Sequence, residues 1–227
     1  AGVKGVSGEL VFSTGTTTCG ASGSISIGTG TTTGLGESGD IHMHVGKTTE
    51  NHGGEIWLEA GTTTANKNGG LFNIQAGSST GTSSGIGGQL NLYSGRAEKN
   101  TGGSLSIITG FSASTTSGSM IIRTLNAGTA GVSGELVFST GTTTTGASGD
   151  ISIGTGTASA GDGGDISIVV GDGNVLDGGH IYLYAGKSNA DGTEDATGGS
   201  ISMISGFGTK STSGTIIIRT LNAGVKG

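Results

Sequence analysis

Apolar and polar residues alternate along this chain in short bursts, and the bursts recur at a nearly fixed spacing. A phrase of the form Gly-Gly-x-Ile-x-Ile-x-x-Gly, or a close relative, begins at Ser7, Ser22, Ser38, Gly53, Gly69, Gly87, Gly102, Ser117, Ser133, Ser148, Gly163, Gly178, Gly198 and Ser213, most often 15 residues apart. Successive side chains of a strand point to opposite faces, so alternation over about six residues flanked by Gly, Ser and Thr predicts a strand in each phrase. One parity collects Ile25, Ile41 and Ile56, then Ile27, Met43 and Leu58 two places on, then Thr29, Val45 and Ala60. That parity is the expected core, narrowing from bulky to small. The other parity carries Glu9, Asp40, His42, Glu55 and Trp57 and is expected to face solvent or a partner.

A short fixed period points to a stack of like units rather than to a compact enzyme domain. The fold class expected from it is all-β: a parallel β-solenoid of about 14 coils, with an antiparallel β-meander as the alternative. Every connector leaves from a Gly and returns through Gly-Gly or Ser-Gly, which favours the solenoid. A second short strand is expected opposite the first, formed by Thr triplets such as 16–18, 31–33, 62–64 and 142–144. Glycine at the corners is expected to supply sharp bends. Proline would delete a ladder donor, and the chain has none.

A longer repeat lies above the short one. Residues 6–31 and 132–157 differ only at Cys19/Thr145 and Ser24/Asp150. The phrases ending the two blocks read SGSMIIRTLNAG and SGTIIIRTLNAG. The expected organisation is one solenoid segment over 1–227, with a first long repeat of eight coils over 6–131 and a second of six over 132–227. Because the chain opens AGVKGVSGEL and closes LNAGVKG, it is expected to be a window of a longer tandem array.

Composition changes the picture in three ways. There are 51 glycines, and only 11% of residues are charged, against roughly a quarter in ordinary domains. Apolar residues held at fixed places in each phrase argue against a featureless linker. A net charge of −6 with no basic run disfavours nucleic acid as a partner. No apolar run approaches the roughly 20 residues of a membrane helix, so membrane insertion is not expected. Cys19 stands alone, and its counterpart in the second block is Thr145.

Candidate chemistry is sparse. Asp40, His42, His44 and His52 cluster, with Glu59 near, but the second block lacks such a group. Asp162, Asp165, Asp172 and Asp177 sit beside glycines, as turn-forming aspartates do. No catalytic set, phosphate loop or cofactor motif stands out. The expectations are therefore no enzyme, no cofactor and no metal. Three sets of surface residues are candidates for contact. Val11, Ile121, Val137 and Ile217 form outward apolar patches near the block junctions, suited to lateral contact or to a connector folding over them. Trp57, Tyr93, Tyr182 and Tyr184 are outward aromatics able to meet a glycan or a neighbouring rod. Thr16, Thr18, Thr31, Thr33, Thr62, Thr64, Thr142 and Thr144 form a possible Thr ladder, similar to the Thr-x-Thr ladders of insect ice-binding solenoids.

The phrases GGDISIVVGDG, SGDISIGTGTA and LNAGTAGVSGELVFSTG resemble very long Gly/Ser/Thr-rich repeat proteins of diatoms and related stramenopile algae. The resemblance implies a secreted structural protein, extracellular or at the cell surface. The expected function is a fibre or filament built from stacked β-coils, with self as the principal partner and glycans as a further one. The alternative is an ice-binding or carbohydrate-binding module.

Overall fold

The computed structural model describes residues 8–81, 84–189 and 196–221. The chain divides into two units, Ala1–Ser117 and Gly118–Gly227, each considered by itself.

In two phrases the backbone is visibly extended. Side chains two apart meet: the His180 and Tyr182 ring centroids are 5.6 Å apart, and those of Tyr182 and Tyr184 are 6.0 Å apart with planes 12° from parallel. In unit 1, Trp57 Nε1 donates to Glu55 Oε2 at 2.7 Å. Residues two apart do not face each other on a helix. On an extended chain they share a side and stand about 6.7 Å apart.

The phrases do not become a sheet. Among the described residues there is no helix and no strand ladder, and no side chain is buried. The all-β expectation, solenoid and meander alike, is therefore overturned, and the chain is coil-rich. The residues expected to form the core stand in the open. Ile25, Ile41, Ile56, Ile151, Ile166 and Ile181 are each 53–55% exposed. The surface totals 23,330 Å² for 21.8 kDa. A compact protein of that mass shows about 9,000 Å² and an unfolded one about 32,000 Å².

What the fold does contain is a repeated clasp. The third small residue of one phrase touches the second glycine of the next. In unit 1 this pairs Thr14 with Gly23, Thr29 with Gly39 and Val45 with Gly54 through the side chain. The next three joints add a backbone bond, Gly70 N–H donating to Gly61 O, Gly88 to Gly77 and Gly103 to Gly95, each at 2.8 Å. Unit 2 follows the same order. Thr124, Thr140, Thr155 and Val170 press on Gly134, Gly149, Gly164 and Gly179. Gly199 N–H then donates to Gly186 O at 2.8 Å and Gly214 N–H to Gly206 O at 2.9 Å. Thr14 and Thr155 also donate their hydroxyls to the carbonyls of Gly23 and Gly164, at 3.2 and 3.1 Å.

The clasp explains why a solenoid does not form. Stacked coils would set the start of one phrase on the start of the next, Gly23 on Gly8. Gly23 instead lies against Thr14, at the end of the phrase before it. Each clasp thus closes its own connector into a loop, with a bend in the interior at places such as 34–36 and 174–176. The corner-glycine expectation is corrected as well. The glycines closing each phrase have no positive φ; among the described residues only Gly20, Gly85 and Gly146 do, at 111°, 145° and 107°. All three lie in connectors.

The second glycine is required by space rather than by φ. A Cβ on Gly54 would sit 2.6 Å from Val45 Cγ1, and on Gly134 3.2 Å from Thr124 Cγ2. Every phrase has glycine there. At the first place a Cβ on Gly53, Gly163 or Gly178 meets nothing within 4 Å, and half the phrases carry Ser instead. Gly54→Ala is expected to spring its clasp at a cost of about 1–3 kcal/mol, the usual range for overfilling a packed contact. Gly53→Ser is expected to leave it shut. The nuclear Overhauser contact between the Val45 methyls and the Gly54 Hα protons reads both: lost in the first variant, kept in the second.

Candidate functional site

The aromatic stripe of unit 2 is the best-defined constellation of side chains. Extended backbone at 180–184 sets His180, Tyr182 and Tyr184 on one side, with Ile181 and Leu183 on the other. Tyr182 is the hub, tilted 46° from His180 and nearly parallel to Tyr184. Centroid separations of 4.5–7 Å are those that aromatic pairs prefer. Tyr182 and Tyr184 remain 67% and 84% exposed, so the stripe is an ordered and accessible surface. Trp57 in unit 1 is also outward, 82% exposed, with its indole N–H held by Glu55. Tyr93 is outward too, in a different phrase. The four aromatics named from the sequence thus form one pair, Tyr182 with Tyr184, and two separate side chains.

The apolar junction residues Val11, Ile121, Val137 and Ile217 are exposed by 64–79%. Among the described residues no connector folds over them, which leaves lateral contact as the part of that expectation still open.

The Thr triplets do not form a second strand. Their middle hydroxyls turn into their own connectors. Thr17 donates to Gly20 O at 3.3 Å, Thr32 to Glu37 O at 3.2 Å and Thr143 to Thr145 O at 3.0 Å, while Thr63 accepts from the Ala65 amide at 3.2 Å. These are the local side-chain bonds by which Ser and Thr shape turns. Thr16, Thr18, Thr31, Thr33, Thr62, Thr64, Thr142 and Thr144 flank those hydroxyls and are exposed. Sequence reasoning took the triplets for strand. The signal it passed over was Gly following within a few residues, as in TTTCG and TTTTG.

Charged groups are scattered in solvent. His42 Nε2 lies 3.8 Å from Asp40 Oδ2, both side chains 83% exposed, and Arg96 lies 3.9 Å from Glu98. Among the described residues no three His, Cys, Asp or Glu side chains converge as metal ligands would. Cys19 is exposed. A depression lined by Arg123, Thr124, Leu125 and Asn126 is an arc of four consecutive residues, with no chemistry converging from elsewhere. No helix among the described residues is long and apolar enough to cross a membrane. No family model, no curated protein and no solved structure matches the chain.

The stripe carries its own prediction. Tyr182→Ala removes both ring contacts and is expected to abolish the ring-current shift on the His180 ring protons. Tyr184→Ala is expected to leave most of that shift in place. Proton spectra of the two variants decide it.

Proposed function

We propose that this is a structural protein whose repeats associate with other copies of the same chain into a fibre or filament outside the cell. One observation carries the reading: a chain with regularly repeated apolar phrases buries none of the large side chains among its described residues. Apolar surface removed from water is the main favourable term in folding and association, and a chain that lacks it internally gains it by assembly. Repetition suits assembly, because each block offers a partner the same surface as the last. The extracellular setting rests on the resemblance to secreted algal repeat proteins. The coiled-stack picture of the fibre is withdrawn with the solenoid.

Sedimentation velocity over a hundredfold range of concentration, with electron microscopy of the same samples, tests the proposal. The expected outcome is a weight-average sedimentation coefficient that climbs with concentration, together with elongated particles. A single slow boundary at every concentration would reject it.

The aromatic stripe supports a second reading, carbohydrate binding, since ordered exposed rings stack on the apolar faces of pyranose sugars. Retention on insoluble chitin or cellulose, lost in Tyr182→Ala, is its expected signature. Ice binding has less support: the bends leave no flat Thr face.

A further inference from the structure

The phrases have two sides, and only one of them can be covered by a like-charged copy without stranding charge. We propose that a second copy of this chain seats on the side bearing Ile25, Ile41, Ile56, Phe72, Leu90 and Leu105, rather than on the side bearing the outward apolar and aromatic residues. This rests on the self-association reading and names the surface that performs it.

Charge is the first argument. Every ionisable residue within the phrases lies on the opposite parity, including Glu9, Asp40, Glu55, Glu59, Asp150 and Asp165. The row itself has none. Covering the opposite side would strip water from carboxylates and press them against the same carboxylates of a partner, in a chain of net charge −6. Burying unpaired charge is costly, whereas burying the row desolvates only hydrocarbon, Thr hydroxyls and glycine backbone.

Exposure is the second. The six row residues are 53–59% exposed, and Ile27, Met43 and Leu58 two places on along the same side 62–74%. On the other side Trp57, Tyr93, Ile108 and Ile121 are 79–87% exposed. An exposed apolar patch rimmed by polar groups is the form contact surfaces take.

Area is the third. Full burial of one such side chain removes about 60–120 Å² from water. With more than half of that still exposed on the six row residues and on Ile27, Met43, Leu58, Ile74, Leu92 and Ile107 two places on, unit 1 offers on the order of 600 Å². Each partner in a standard interface contributes about 800 Å². Unit 2 presents the row again, with Ile151, Ile166 and Ile181 at 53–54%. The occupant follows from the repeat itself: residues 6–31 and 132–157 are the same sequence at all but two positions, so a second copy brings a matching row at matching intervals.

Trp57 allows a test without mutation. It is the sole tryptophan and stands on the side predicted to stay wet. Across the concentration range of association, its emission maximum and its acrylamide quenching are expected to stay at their dilute values. Two double variants complete the test. Ile56→Ser with Ile166→Ser, on the row, is expected to weaken association at least tenfold in sedimentation equilibrium. Val11→Ser with Val137→Ser, opposite, is expected to shift it less than twofold. Association that shields Trp57, or that the second pair weakens more than the first, overturns this inference while leaving self-association standing. A wild-type chain that stays monomeric, or that binds neutral phosphatidylcholine vesicles in place of itself, overturns both.

Discussion

The arrangement depends on a close approach that only glycine permits. At most joints a Thr, Val, Ala or Ser at the end of one phrase lies against the glycine opening the next, and an added carbon would collide outright at Gly54 and Gly179 and be tight at Gly23, Gly134 and Gly164. Two chemistries serve the same contact. With Thr or Val, the branched side chain fills the space above the glycine. With Ala or Ser, the smaller side chain lets the backbones come nearer, and an amide donates across at 2.8–2.9 Å. The joints of both units run from the first kind to the second in chain order. A backbone bond of this sort is worth about 1 kcal/mol net, and less where water competes freely. The clasp therefore fixes where connectors close without making the chain rigid.

Closure at the clasp decides what else can form. It returns the chain to its starting point after eight residues in the shortest loops, 95 to 103 and 206 to 214. The phrases on either side have their ends tied and their middles unpaired. Their N–H and C=O groups stay with water, so no ladder accumulates and the bulky residues find no opposite face. Connectors bend in their interiors, held by Thr hydroxyls rather than by strand pairing. The result is a chain with local order at every joint and little apolar burial anywhere. The proposed association with other copies would answer that shortage.

The sequence made the local features legible and the global one illegible. Period-two alternation was right: Tyr182 meets both His180 and Tyr184, and Glu55 meets Trp57. The invariance of the second glycine across the phrases was visible too, but it was assigned to bend angles, whereas its cause is contact with Val45 or Thr124 across the joint. Alternation says which residues share a side. It does not say which segment covers that side, because like phrases offer no unique pairing. The same degeneracy made a stack of coils plausible, since any phrase in it sits equally well on any other. Missing from the pattern was the competition at 14–23 and its equivalents, where a phrase's end captures the next phrase's start before start can meet start. For the candidate contacts, exposure of Val11, Ile121, Val137 and Ile217 was legible, while the 53–55% exposure of Ile25, Ile41 and Ile56 in the opposite row was not.

Parity of charge is the feature that joins the local pattern to the proposed role. A chain of 11% charged residues could have placed them anywhere, yet within the phrases they fall on one side. Solubility alone does not require this, because charge on either side keeps a coil in water. Segregation matters when one side is to be dry. At physiological ionic strength the field of a surface carboxylate fades over about 8 Å. Two copies joined through their neutral rows, as proposed, would hold their carboxylates on the outer sides, where the −6 charge of each opposes their union less than it would at the contact itself. The same charge, spread on the outer sides, resists further indiscriminate stacking. One alternation of residue types thus favours pairing on one side and limits it on the other.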